Sequence, residues 1–125
     1  CRFSDHACLP SFRPRAGAAV ILREEFDVET RVVNLHTVKP LDRAAIASAA
    51  ADTGVVITAE EHQVGGMGNR VAGGICEAAL ERPIKLAMVG VQDRFGEYGE
   101  PWELMKLFGL TAEHIAQKAR ELLGV

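Results

Sequence analysis

Apolar positions in this chain fall into short runs rich in β-branched residues, separated by stretches where they recur at helical spacing. Arg31–His36 is the first sharp run and predicts a strand ending at Thr37, with Pro40 unable to continue a ladder. Asp42 offers a side-chain cap to a helix reaching about Asp52, whose alanines suit close packing on a sheet. Gly54 supplies a left-handed stop after it. Val55–Glu60 predicts a second strand, and its nearly all-apolar run to Ala59 indicates burial on both faces. After a glycine-rich loop, Asn69–Glu81 reads as a helix, Pro83 ends the connection, and Ile84–Val89 reads as a third strand. Gly73 and Gly74 inside that helix each cost about 1 kcal/mol relative to alanine, which close approach of the helix backbone to a strand would explain. The loop Gly90–Gly99 is polar. Pro101 opens a short helix, Gly109 closes it, and Thr111 caps a final amphipathic helix reaching Leu123.

The start of the chain lacks such order. Residues 1–16, CRFSDHACLPSFRPRA, hold Pro10, Pro14 and three arginines with no sustained period, and predict an irregular segment ahead of a domain over residues 17–125. Gly17–Phe26 fits a helix with Ala18, Ile21, Leu22 and Phe26 on one face, and Val20–Leu22 fits a short strand equally well. From Thr30 onward, strands alternate with helices. That order predicts an α/β domain with parallel strands and crossover helices, its polar chemistry gathered at the strands' carboxyl ends. Those ends carry His36, Thr37 and Lys39 on the first strand, and Glu60, Glu61 and His62 on the second.

At 125 residues the chain suffices for one domain with its own core, and 48% hydrophobic with 25% charged residues is ordinary globular composition. A net charge of −3 gives no electrostatic reason to expect nucleic acid or an anionic membrane, and no apolar run approaches membrane-spanning length. Cys1, Cys8 and Cys76 are odd in number and unpatterned. Cys76 is expected as a small buried residue, and a reducing cytoplasm fits this usage. The chain starts at Cys1 rather than methionine, which leaves a fragment, a processed product and a truncated start all open.

Candidate chemistry clusters in two loops. Gly65, Gly66 and Gly68, with Asn69 and Arg70, open a helix whose N–H groups are suited to an anion. Gly66-x-Gly68-x-x-Val71 nearly matches a dinucleotide fingerprint, but valine replaces the third glycine and the acidic ribose-binding residue is missing at Met88-Val89-Gly90. Glycines that let a helix start tight against the sheet are the simpler reading. Glu60, Glu61 and His62 invite a catalytic or metal role, yet adjacent strand residues point oppositely, so Glu60 and His62 alone share a face. A third ligand such as His36 would have to come from another strand, which nothing in the spacing demands. The structural alternative is one carboxylate accepting loop N–H bonds while the other meets solvent. In Asp93–Gly99, Asp93, Arg94, Phe95 and Tyr98 form a candidate interface, with a self-packed loop as the rival. Trp102 and Phe108 read as core or interface contacts, and His114 as exposed.

These residues match a family. Val32-Val33-Asn34-Leu35-His36-Thr37-Val38-Lys39-Pro40-Leu41-Asp42 resembles the "hTiKPlD" strand-turn of the transketolase C-terminal domain. Thr58-Ala59-Glu60-Glu61-His62 followed by Gly65-Gly66-Met67-Gly68 resembles its "TaEEH…GGlG" signature, and Gly90–Gly99 is similar to its "GvpDrFGesG" loop. Phe108-Gly109-Leu110-Thr111 with Ile115 resembles the closing helix entry. The motifs keep the family's order over residues 18–124, and His62 favours transketolases over the related deoxyxylulose-phosphate synthases.

The resemblance implies a three-layer α/β/α domain with a mostly parallel sheet, the third domain of a thiamine-diphosphate enzyme transferring ketol units between sugar phosphates. In that family the cofactor and its divalent metal sit between two other domains, whose motifs this chain lacks. No catalytic, cofactor-binding or metal residue is therefore carried over, and the isolated chain is expected to be inactive, supporting dimer and domain packing. A separate subunit carrying the thiamine-binding domains is the implied partner. One departure stands out. Where the family has an apolar first strand, this chain has Phe3–Leu9 with Asp5 and His6, which are costly in a buried strand. A strand edge left exposed seeks a partner, so a homodimer or arm exchange is expected. The rival reading is a free-standing anion- or phosphate-binding module using Gly65–Asn69 with Arg70.

Overall fold

The structure, a computed structural model, describes residues 12–63, 65–92 and 99–125. In chain order they form α1 (Phe12–Phe26), α2 (Arg43–Thr53), β1 (Val55–Gln63), α3 (Met67–Glu77), β2 (Lys85–Val91), α4 (Pro101–Leu107) and α5 (Ala112–Leu123). β1 and β2 pair in parallel, running in register from Val55 opposite Lys85 to Ala59 opposite Val89. Parallel strands need a crossover, and α3 supplies it.

Side-chain alternation along β1 builds two cores, one on each face of the sheet. Ala59 and Ile57 face α1 and α5, joining Ala18, Leu22, Val89, Ile115 and Ala119. Val56 faces α2 and α3, with Leu35, Ile46 and Val71. Helices on both faces of a parallel ladder make the α/β/α layering, and they explain why a nearly all-apolar run was needed at Val55–Ala59. Thr58 also turns toward α3, close to Gly68.

Local chemistry sets most helix ends. Asp42 Oδ1 accepts from the Ala45 N–H at 3.0 Å, starting α2. Gly54 stops it at φ +72°, its N–H donating to the Ala50 carbonyl at 2.8 Å. Thr111 Oγ1 accepts from the His114 N–H at 3.3 Å to start α5, and Gly124 ends it in the left-handed conformation. At that far end the Lys85 ammonium donates to the Leu122 carbonyl at 2.7 Å, where a cation suits the helix dipole.

Several expectations are corrected. Gly17–Phe26 is helical, and the helix starts earlier, at Phe12, because Pro14 lies in the first turn where its missing N–H costs nothing. Packing of Ala18 and Leu22 on α5 resolves what periodicity left open. Arg31–His36 joins no ladder among the described residues. Its buried residues are Val32 and Leu35, and its end closes in a tight turn, His36 N–H donating to the Asn34 carbonyl at 3.1 Å. Strand status belongs to a pair of segments, and an apolar run alone does not confer it. α3 starts before Asn69 and ends at Glu77, short of the expected Glu81, with Ala79 at φ +46° turning the chain away. Gly68 is the glycine of α3 packed on the sheet; Gly74 faces Leu41 instead, and Gly73 faces open space. Cys76 is exposed. It lies about 200° around the helix from buried Gly74, on the solvent side.

Candidate functional site

Polar groups gather where β1 ends and α3 begins. The strand register breaks there: Ala59 pairs with Val89, and the next pair is Gln63 with Val91, so β1 spends four steps against two on β2. Such a bulge bends the strand and re-aims its side chains. Glu60 and His62 both reach the Gly66 backbone, since a Cβ built there would lie 2.8 Å from Glu60 Oε2 and 3.1 Å from His62 Cδ2. The two share a face, as alternation expects. Glu61 is exposed.

The carboxylate of Glu60 is engaged by the helix. Met67 N–H donates to its Oε2 at 2.8 Å and Gly68 N–H donates to its Oε1 at 3.2 Å. Gly66 precedes α3 without a side chain to cap it, so the strand's carboxylate acts as the cap from outside. A negative charge at the positive end of α3 is also favourable for the dipole. The site is thus a carboxylate clamp. It occupies two of the first-turn donors that an external anion would need, and its charge would repel that anion.

Gly65 is a turn residue at φ +114°, and Asn69 and Arg70 are exposed beyond the clamp. Gly90 on β2 lies against the same bulge, where a Cβ would meet the His62 carbonyl oxygen at 2.9 Å. His36 is exposed, its Nδ1 2.7 Å from Thr37 Oγ1. Among the described residues no group of three or more His, Cys, Asp or Glu side chains could hold a metal ion. Thiamine diphosphate, with its diphosphate and divalent metal, does not fit a helix start already closed by Glu60. The candidate interface residues Asp93, Arg94, Phe95 and Tyr98 lie outside the described residues. Trp102, expected in a core or interface, is exposed, with the Lys106 ammonium 4.3 Å from its ring centre. Phe108 packs against the α1–α5 core. No helix among the described residues is long and apolar enough to cross a membrane.

The structural alternative, one carboxylate accepting loop N–H bonds while the other meets solvent, is what Glu60 and Glu61 do; the sequence left open which of the two it was and that the donors open α3. The signal was available: a glycine-only helix start, with no Ser, Thr, Asp or Asn to cap it, needs an acceptor from elsewhere. Sequence reading missed the buried Thr58 hydroxyl, which lacks a hydrogen-bond partner and sits where Gly68 packs.

Comparison with known proteins decides the family. Residues 12–115 match the model of the transketolase, C-terminal domain. The chain belongs to the transketolase C-terminal domain family. Among its relatives in this family, the 6-deoxy-6-sulfo-D-fructose transketolase subunit of Clostridium sp. (strain MSTE9) is 43% identical over 96 residues, spanning 76% of this chain and 29% of the relative. An apulose-4-phosphate transketolase subunit of Phocaeicola vulgatus is 35% identical over 85% of this chain and 33% of its own length. The 1-deoxy-D-xylulose-5-phosphate synthase of Cupriavidus taiwanensis is 35% identical over 90% of the chain and 17% of its own. The chain therefore spans a third or less of these relatives. A solved structure described as a split gene transketolase, inactive beta4 tetramer, superposes with a TM-score of 0.85 at 35% identity, covering 98% of this chain and 39% of that one. The transketolase-type α/β fold is thus shown.

Proposed function

We propose that this chain is the non-catalytic C-terminal domain of a two-subunit transketolase-type enzyme, a packing and self-association unit beside a catalytic centre held elsewhere. Thiamine diphosphate and the divalent metal belong, on this reading, to domains in a separate partner subunit, and the reaction is ketol-unit transfer between sugar phosphates. The observation that carries it is the Glu60 clamp: the helix start best suited to an anion is closed by the chain's own carboxylate at 2.8 and 3.2 Å. Relatives described as transketolase subunits support the division of labour, and a β4 assembly in the related split transketolase supports homo-oligomerisation, with a homodimer as its simplest form. The free thiol of Cys76 suits a reducing cytoplasm.

The test is direct. The purified chain, given thiamine diphosphate, magnesium and a ketose–aldose phosphate pair, is expected to show neither turnover nor cofactor binding by calorimetry. Activity should require a co-expressed subunit carrying the thiamine-binding domains. Turnover or cofactor binding by the chain alone would overturn the proposal. The rival anion-binding module predicts saturable shifts of the Gly66 and Gly68 amides on titration with phosphate. The clamp predicts none at millimolar ligand.

A further inference from the structure

α2 and α5 lie on opposite faces of the sheet, and both end at its amino edge, away from the Glu60 clamp. Neither brings its own cation to its carbonyl end. α2 has no basic residue in its last turn. α5 has Arg120, but that guanidinium sits 4.0 Å from the centre of the Phe26 ring and so faces α1. The last carbonyls of a helix have no partner within it. Gly54 N–H takes the Ala50 carbonyl and Gly124 N–H takes the Arg120 carbonyl. The Ala51 and Leu122 carbonyls need donors from elsewhere.

The connection between α3 and β2 supplies both. Arg82 Nη1 donates to the Ala51 carbonyl at 3.3 Å, and Lys85 Nζ donates to the Leu122 carbonyl at 2.7 Å. Local sequence explains why the two cations part. Pro83 keeps Arg82 extended. Lys85 opens β2 on the same side as Val89, four residues on, which packs in the α1–α5 core. Arg82, an odd number of residues before Lys85, reaches the α2 layer instead. Gly54 joins the two cations. The Arg82 guanidinium lies against it, so that a Cβ there would be 2.6 Å from Cζ and 3.0 Å from Nε, and its carbonyl accepts the Lys85 N–H at 3.0 Å. Direct contacts therefore run from α2 through Arg82, Gly54 and Lys85 to α5.

We infer that Arg82 and Lys85 form a two-sided clasp that makes the last turns of α2 and α5 open together across the sheet. This goes beyond the proposed function and does not depend on it. The experiment reads amide hydrogen exchange by NMR in the full chain and in the variants Lys85→Gln, Arg82→Gln and Arg82→Lys. The reporters are the Gly54 amide for α2 and the Gly124 amide for α5. Both side chains are exposed, so the variants should fold. Each glutamine variant should speed exchange about two- to fivefold at its own helix end, the size of a surface charge lost from a helix terminus. It should also speed exchange about twofold at the other end. Arg82→Lys, which keeps the charge, should restore part of both effects. An effect confined to the variant's own helix would overturn the inference, leaving two independent caps. So would unchanged exchange at both ends. Equal acceleration at Leu22 and Val71, in helices the clasp does not touch, would mark global unfolding and overturn it as well.

Discussion

Gly68 and Gly73 lie in the same helix, and the structure predicts opposite outcomes for the same substitution. A Cβ on Gly68 would lie 2.9 Å from both Thr58 Oγ1 and Met88 Sδ, and 3.1 Å from Met88 Cγ. Thr58 is buried and β-branched, so it has little room to turn aside. Overpacking of this kind costs about 1–3 kcal/mol, while the gain in helix propensity is at most about 1 kcal/mol and smaller in a first turn. Gly68→Ala should therefore lose about 1–2 kcal/mol net. A Cβ on Gly73 meets nothing within 4 Å, so Gly73→Ala should gain about 0.5–1 kcal/mol. Urea unfolding with unchanged slope is the assay. Thr58→Ala removes one side of the clash, and the Thr58 hydroxyl has no hydrogen-bond partner to lose. The double variant Gly68→Ala/Thr58→Ala should recover part of the loss, a coupling of about 0.5–3 kcal/mol. Equal effects at the two glycines, or no recovery in the double variant, would refute the close contact between α3 and β1.

Glu60→Ala should destabilise by about 1–2 kcal/mol because two first-turn N–H groups lose their acceptor, and Glu60→Gln by less, as a neutral acceptor remains. Thermal denaturation of both variants checks the order, and an unchanged melting temperature for Glu60→Ala would remove the clamp. Gly54→Ala forces a side chain to φ +72° and into the Arg82 guanidinium, so a loss of about 1 kcal/mol or more is expected in urea unfolding. The Glu113 carboxyl lies below its ordinary range, chiefly through a bond to its own backbone N–H, then through the Thr111 hydroxyl. A depressed folded-state value means stability that is present above the unfolded value of about 4.3 and lost as pH falls through the folded one. The start of α5 should accordingly loosen in acid, and Glu113→Gln should flatten that acid limb of a pH series monitored by amide exchange.

The elements that could be read from residues alone are those whose cause is local. Asp42 and Thr111 sit at the helix starts, and Gly54 and Gly124 adopt left-handed stops, because each depends on neighbours within one turn. The nearly all-apolar run Val55–Ala59 announced burial on both faces, and the transketolase-like motifs announced the family. Three outcomes depended on contacts between distant segments. Arg31–His36 is apolar enough for a strand, but a ladder is a bond between two segments, and its own sequence does not contain the other. Cys76 is exposed because Gly68, Val71 and Gly74 set which side of α3 meets the sheet. Glu60 is a structural carboxylate because the bulge aims it at the first turn of α3. Sequence determined which groups were available and where helices begin and end. Tertiary structure alone decided what each polar group satisfies, because the energy of a carboxylate or a strand edge lies in a partner brought close by folding.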